Sequence, residues 1–247
     1  YPQRGRFVGG CLGAVLLVIM GIFISMIGVL LIYLIIPPPP LDILVLGVDA
    51  REGEGYATRA DSIMLIGLNP RGLQTSILSI PRDLFIETPG YGAQRINTIN
   101  ALGEMESEGR GPALLTDAVD FSFGVRPDRY VRLNFAAFVE LIDAVGGVDV
   151  DVQRAIYDPQ YPTPDGGVEL VEFEVGWQHM DGATALKYAR TRHSDDDYFR
   201  AGRQQQVMDA FLGKLINPFT WPTVSTALAR NVDTNISVFD MALYAPV

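Results

Sequence analysis

Three short stretches concentrate the side chains able to do chemistry. Gly47-Val48-Asp49-Ala50-Arg51 is followed closely by Arg59-Ala60-Asp61-Ser62. Ser79-Ile80-Pro81-Arg82-Asp83 precedes Arg95-Ile96-Asn97. The third and densest stretch, Tyr188-Ala189-Arg190-Thr191-Arg192-His193, leads into Asp197-Tyr198-Phe199-Arg200-Ala201-Gly202-Arg203-Gln204. Asp49 and Asp61 are hard oxygen donors, and two carboxylates together with a substrate's phosphates suit Mg²⁺. Arginine presents a planar fork that matches phosphate and carboxylate. Arg190, Arg192, Arg200 and Arg203 could therefore surround a pyrophosphate and stabilise charge that builds up during transfer. Each stretch also has a plainer reading. Asp49 could cap a turn and Asp61 pair with Arg59; Arg82 could sit in a surface ion pair worth roughly 0–1 kcal/mol; the third stretch could be a solvated helix face.

Composition narrows the choice. The formal net charge is −10, and Lys187 and Lys214 are the only lysines, so the basic side is almost wholly arginine. An acidic chain argues against non-specific nucleic-acid binding, which depends on neutralising phosphates over a surface. Local arginine clusters in that background point to a pocket for a small anion. Cys11 is the only cysteine, which excludes a disulfide framework. His179 and His193 are the only histidines and Cys11 lies at the edge of the apolar run, so the zinc case is poor and no Cys-His or Ser-His-Asp set competes.

The elements that must position these residues follow from periodicity and punctuation. Leu41 to Val48 is a short apolar run closed by Asp49, a buried strand. A Gly-rich loop from Glu52 to Thr58 follows. Ser62 to Leu68 and Gln74 to Ile80 form a hairpin about Asn69-Pro70-Arg71-Gly72. Ile96 to Met105 and Pro112 to Phe121 are helical. Tyr130 to Leu133 is a strand, Asn134 caps a helix through Val145, and Gly146-Gly147 supplies its left-handed end. Val148 to Val152 resumes a strand, Tyr157 to Gly167 is a Pro/Gly/Asp loop, and Glu169 to Val175 alternates as a half-exposed strand. Asp181 caps a short helix through Ala189. An amphipathic helix runs from Arg200 to Leu215, with Asp197 at its N-cap position. Strands interleaved with helices imply a mixed α/β sheet covered on both faces.

Ahead of all this, residues 7–36 carry no charge. About 20 apolar residues of helix cross a bilayer core of roughly 30 Å, so this run is expected to be a transmembrane anchor. It is longer than a signal-peptide core and lacks a small-residue cleavage site. Arg4 and Arg6 precede it, which keeps the 1–6 stub cytoplasmic and places residues 41–247 outside, beyond a stiff 37–40 proline spacer. A chain opening on Tyr1 is expected to lack its natural N-terminus, and Val247 need not be its natural end.

The motifs taken in order resemble the LytR-CpsA-Psr family: Gly47-x-Asp49-x-Arg51, Arg59-x-Asp61-Ser62, Ile80-Pro81-Arg82-Asp83, Arg95-Ile96-Asn97, Asp143-Ala-Val-Gly-Gly-Val-Asp149, Ala185-Leu-Lys-Tyr-Ala-Arg-Thr-Arg192 and Asp197-x-x-Arg200-x-x-Arg203-Gln204-Gln205. The resemblance covers roughly residues 41–210. Arg95 stands where lysine is more usual, and Ala60 and Ser62 flank Asp61 where threonine is common. The resemblance implies an α/β/α sandwich with a mixed central sheet and an apolar groove for a polyprenyl chain. It implies transfer of a teichoic-acid- or capsule-type glycopolymer from a polyprenyl-pyrophosphate lipid to peptidoglycan, with Mg²⁺ (or Mn²⁺ in its place). Carried over by motif, Asp49 and Asp61 hold the metal, while Arg82, Arg190, Arg192 and Arg200 clamp the pyrophosphate. Arg59, Arg203, Gln204, Arg51 and Arg95 support that clamp, and Asp197 orients it or acts as base. Phe135, Phe138 and Leu141 are candidates for the groove, although core packing explains each equally simply. Two rival functions remain: a non-catalytic envelope regulator or lipid-binding module, and a pyrophosphatase using water as acceptor.

Overall fold

The computed structural model describes residues 6–50, 55–163, 166–191, 197–244 and 247, and their side chains except those of 6–12, 29, 197 and 231. The apolar N-terminal run forms one helix, α1 (Arg6–Ile35), of which Gly13–Ile35 is long and apolar enough to cross a membrane. The chain continues through β1 (Leu41–Val48), β2 (Ala60–Asn69), β3 (Gln74–Ser79), β4 (Phe85–Thr88), β5 (Gly92–Arg95), α2 (Ile96–Glu106) and α3 (Gly111–Phe123). Then come β6 (Arg129–Leu133), α4 (Phe135–Ala144), β7 (Val148–Val152), β8 (Ile156–Pro162), β9 (Val168–Phe173) and β10 (Gly176–Met180). The last elements are α5 (Gly182–Arg190), α6 (Asp197–Leu215), α7 (Trp221–Asn231), β11 (Val232–Thr234) and α8 (Val238–Tyr244).

Five strands build the central sheet in the order β11-β6-β1-β2-β3. β1 runs parallel to β6 (Ile43 opposite Arg129, Gly47 opposite Leu133) and antiparallel to β2 (Leu41 opposite Leu68). The sheet is mixed, as expected. Side chains alternate across a strand. Leu44, Leu46 and Val48 therefore pack on one face against Ile96, Ile99, Leu115 and Val119 of α2 and α3. Val45 packs on the other with Met64, Leu133, Ala137 and, from α6, Met208 and Leu212. Helices on both faces leave β1 little polar surface to expose, which is why it reads as a nearly continuous apolar run.

The caps form as the sequence requires. Asn134 accepts from the Ala137 amide (2.9 Å) and Asp181 from the Thr184 amide (2.8 Å). Gly146 and Gly147 both take positive φ, at 79° and 84°, where a Cβ would be strained. Two readings are corrected. Tyr157 to Gly167 is not all loop: Ile156–Pro162 is β8, paired with β9. Its Pro159 falls inside a bulge between Asp158 and Tyr161, where no ladder amide is needed. The amphipathic helix opens at Asp197 rather than Arg200, so Asp197 belongs to its first turn and does not precede it.

The C-terminal helix α8 is tied to the linker end of the sheet. Arg129 donates through Nε and Nη2 to the two oxygens of Asp240 (3.1 and 3.2 Å), and the Ser237 amide and hydroxyl donate to the same carboxylate. These bonds, Arg129 first, hold the Asp240 carboxyl down at about 2 against an ordinary 3.8. A depressed folded-state pKa contributes stability that is complete above the unfolded value and lost as pH falls through the folded one. Asp240→Asn should therefore lower stability at about pH 5 and abolish the part of the acid loss between about pH 4 and pH 2, as read by urea unfolding across that range. An unchanged acid profile in the variant would contradict the assignment.

Candidate functional site

The site forms where β1 and β3 end and β2 begins. The register there slips: Gly47 pairs with Ser62 and Val48 with Ala60. Asp61 is thus the extra residue of a bulge, a device that re-aims a side chain next to a site. On the neighbouring strand, Pro81 ends β3, and Arg82 is held from behind by α2, whose Asn97 amide donates to the Arg82 carbonyl (3.2 Å). Arg82 Nη1 then donates to Asp61 Oδ1 at 2.8 Å. The Arg82 side chain is 19% exposed and that of Asp61 46%. The partner of Asp61 is therefore Arg82 and not Arg59.

These two groups line a cleft of about 790 Å³, closed on its other side by the first half of α6. Arg200, Arg203 and Gln204 enter it from that helix. Gln204 Oε1 accepts from the Ser62 hydroxyl (3.0 Å), joining α6 to β2. Arg203 lines the cleft but is buried, and it donates Nε to the Tyr188 carbonyl (2.9 Å) and Nη2 to the Thr191 carbonyl (2.5 Å). Its observed bonds hold the end of α5 onto α6. The cleft also contains groups that motif spacing did not single out. Arg154 sits with its guanidinium 5.1 Å from the centre of the Phe199 ring, and Gln153 and Tyr198 line the wall. Arg154 lies two residues beyond the end of β7, and strand-end position was the available signal.

Other expected residues do not line this cleft. Arg190, at the last turn of α5, lies over the Phe135 ring (3.9 Å) and 3.5 Å from the Tyr161 hydroxyl. Arg95 turns outward, 3.6 Å from Asp83 and stacked over Phe85 (5.5 Å). Asp49 and Arg59 are exposed and flank the Val48–Ala60 pair at the same end of the sheet. Arg51 and Arg192 lie outside the described residues, as does the side chain of Asp197.

The donor set fits a phosphate-borne divalent ion better than an all-protein cage. Among the described residues no group of three or more His, Cys, Asp or Glu side chains gathers. Among the described residues Asp61 Oδ2 takes no hydrogen bond, and the buried Ser79 hydroxyl on the cleft wall has no partner. One or two carboxylates, with the remaining positions filled by water and phosphate, is the usual Mg²⁺ pattern.

A second cavity, of about 500 Å³, is apolar and continues along the same helix. Ile43, Val45, Ile66, Phe138, Met208 and Leu212 are among its walls. Residues of α6 up to 206 line the arginine-bearing cleft, and those from 207 onward line the apolar cavity. Of the three groove candidates, Phe138 and Leu141 reach it and Phe135 does not.

The model of the LytR_cpsA_psr family matches residues 38–246. The chain is 35% identical over 195 residues to a probable cell wall biosynthesis protein, LcpB, of Corynebacterium glutamicum, covering 76% of this chain and 42% of that protein. It is 30% identical over 209 residues to the polyisoprenyl-teichoic acid–peptidoglycan teichoic acid transferase TagU of Enterococcus faecalis, covering 82% of this chain and 63% of that one. It thus spans less than two thirds of either relative's length. Among solved structures, TagV of B. subtilis aligns with a TM-score of 0.68 at 27% identity, over 84% of this chain and 79% of that one.

Proposed function

The chain belongs to the LytR-CpsA-Psr family, and from that premise we propose that it transfers a glycopolymer from a polyprenyl-pyrophosphate carrier onto peptidoglycan. The observation that carries the proposal is the junction along α6. A cleft lined by Asp61, Arg82 and Arg200 adjoins an apolar cavity, as a substrate with a diphosphate head and an isoprenoid tail requires. Similarity to a protein named as a polyisoprenyl-teichoic acid–peptidoglycan transferase supports the same reading.

In the proposed reaction an acceptor hydroxyl oxygen attacks the phosphorus that bears the glycopolymer. A new O–P bond forms, the bridging P–O bond breaks, and polyprenyl phosphate leaves with the electron pair. The hydroxyl proton passes to a base, a role we assign to Asp197, for which the motif leaves open either this or orienting the clamp. Arg82 and Arg200 receive the charge that gathers on the phosphate oxygens and the departing phosphate. Arg190 and Arg192 are assigned to the same clamp by motif alone. Asp49 and Asp61 would hold Mg²⁺, or Mn²⁺ in its place, which supplies further charge neutralisation when bound. Gln204 and Arg203 keep β2, α5 and α6 in register around the substrate. Two arginines ahead of α1, Arg4 and Arg6, support a cytoplasmic N-terminus, with transfer on the outer side of the cell membrane.

The test supplies the full chain in nanodiscs with polyprenyl-pyrophosphate-linked glycan, with and without peptidoglycan, in Mg²⁺ or in chelator. Conjugate should form only when both peptidoglycan and Mg²⁺ are present. Release of free polymer at the same rate in both conditions would identify a pyrophosphatase instead, and binding without turnover a lipid-binding module.

A further inference from the structure

The end of the domain nearest α1 carries apolar side chains that are largely exposed. The β2–β3 turn lies at this end, because Leu68 pairs with Leu41, the first residue of β1. The turn holds Leu73, 53% exposed, the one non-glycine residue with positive φ (47°) among the described residues. A left-handed backbone is unfavourable for a residue with a Cβ, and burial of Leu73 within the domain does not offset it. On the far side of the same end, α8 buries Asp240 against Arg129 and turns Val238 and Phe239 outward, each 72% exposed. Arg129 opens β6 opposite Ile43, so these two side chains share the linker end of the sheet with Leu73.

The connection to α1 is short and held. Residues 36–40 separate Ile35 from Leu41, and in a polyproline conformation five residues reach about 16 Å. The Tyr244 hydroxyl donates to the Pro39 carbonyl (3.0 Å), fastening that spacer to α8. Pro70, Arg71 and Leu73 border a common hollow with Leu34–Pro37 at the end of α1.

We propose that Leu73, Val238 and Phe239 form a docking rim that rests in the headgroup and upper acyl region of the bilayer crossed by α1. Amphipathic surfaces bind at this depth by burying apolar area. Arg71, exposed in the same turn, reaches the phosphate level. The chain is acidic overall, so this attachment is apolar rather than electrostatic in origin. Docking has a consequence for access. Leu41, Leu68 and Tyr244 line the linker end of the apolar cavity, and the rim brings that end down to the lipid, where an acyl or isoprenoid tail enters without crossing water. The proposal rests on α1 spanning the membrane and not on the transfer reaction, so a failed transfer assay leaves it untouched.

Cys11 is the only cysteine, and Cys11→Ser provides a background for single labels. Leu73→Cys, Phe239→Cys and Phe85→Cys each receive an NBD fluorophore in the full chain, reconstituted in phosphatidylcholine nanodiscs with or without lipid carrying a shallow nitroxide. Phe85 is the control: its exposure, 61%, lies between those of Leu73 and Phe239, but it follows the cleft residues Arg82 and Asp83, and β1 separates the two ends of the sheet by about 26 Å. Emission from positions 73 and 239 should fall about two-fold or more with the nitroxide lipid, at low and at high salt, while position 85 is unaffected. Labels at 73 and 239 as unquenched as that at 85 would overturn the proposal. Equal quenching at all three would overturn it as well, since the domain would then be lying on the bilayer without a preferred end. Matching unfolding midpoints for the three labelled chains exclude misfolding as the cause of either result.

Discussion

Arg82→Ala is expected to lower the rate of glycopolymer transfer about 10²–10³-fold, the range found when one preorganised donor to a developing oxyanion is removed. The position leaves little room for substitution by a neighbour. Pro81 and the Asn97 amide fix the backbone of Arg82, and the side chain is directed at Asp61 across the cleft mouth. The stability cost should be small, because the carboxylate left behind is nearly half exposed and water can replace the lost donor. Arg82→Lys keeps the charge but not the planar fork, so it should recover only part of the rate. Initial rates of conjugate formation, paired with thermal unfolding of the same preparations, check both statements. A near-normal rate for Arg82→Ala would remove Arg82 from the reaction; a collapse of the unfolding midpoint would make its role structural.

The largest stability effect is expected far from the reacting groups, at Arg132. Its side chain is 2% exposed and that of its partner Glu104 is 4% exposed. Arg132 Nη1 meets Glu104 Oε1 at 2.5 Å, Nη2 meets Asp233 Oδ2 at 2.6 Å, and Asn100 Oδ1 accepts at 3.0 Å. The guanidinium also stacks 4.1 Å from the centre of the Tyr56 ring. Burial pushes the Glu104 carboxyl upward, but Arg132 and the amides of Gly109 and Gly111 outweigh it and leave it lowered. Removing one member of such a pair strands a buried charge, and Arg132→Ala should lose about 3–5 kcal/mol. Arg132→Leu combined with Glu104→Leu should lose markedly less than the sum of the single changes, because neither fully buried charge is then left alone, and Asp233, 29% exposed, keeps the Tyr130 hydroxyl and water. Urea unfolding of the two single variants and the double variant measures the coupling directly, and strict additivity would refute it. The network also reaches the site. Asn100 Nδ2 donates to the carbonyls of Tyr56 and Thr58 (2.9 Å each), in the segment that leads into Arg59 and Asp61. Milder variants that still fold should therefore lose transfer rate as well.

The local pattern of the sequence determined a good deal of this protein. The strands β1 to β3, the caps at Asn134 and Asp181, the glycine pair at 146–147 and the membrane-length helix were all legible, because each depends on neighbours within a few residues. So was the family, since it rests on motifs in order. The long-range contacts decided the rest. β8 was hidden because a proline in a bulge reads like a proline in a loop until the partner strand is known. Arg132, within Tyr130-Val131-Arg132-Leu133, looked like one residue of an apolar strand; it is a buried ion because Glu104 and Asp233 arrive from distant parts of the chain. The same holds for the arginine clusters. Sequence counted the guanidinium groups but could not say where each would point. Folding sends Arg82 to Asp61, Arg203 to the carbonyls ending α5, Arg190 onto Phe135 and Arg95 onto Phe85. A guanidinium on a long, flexible stem takes the acceptor or ring that tertiary packing brings within reach, and chain order does not encode that proximity.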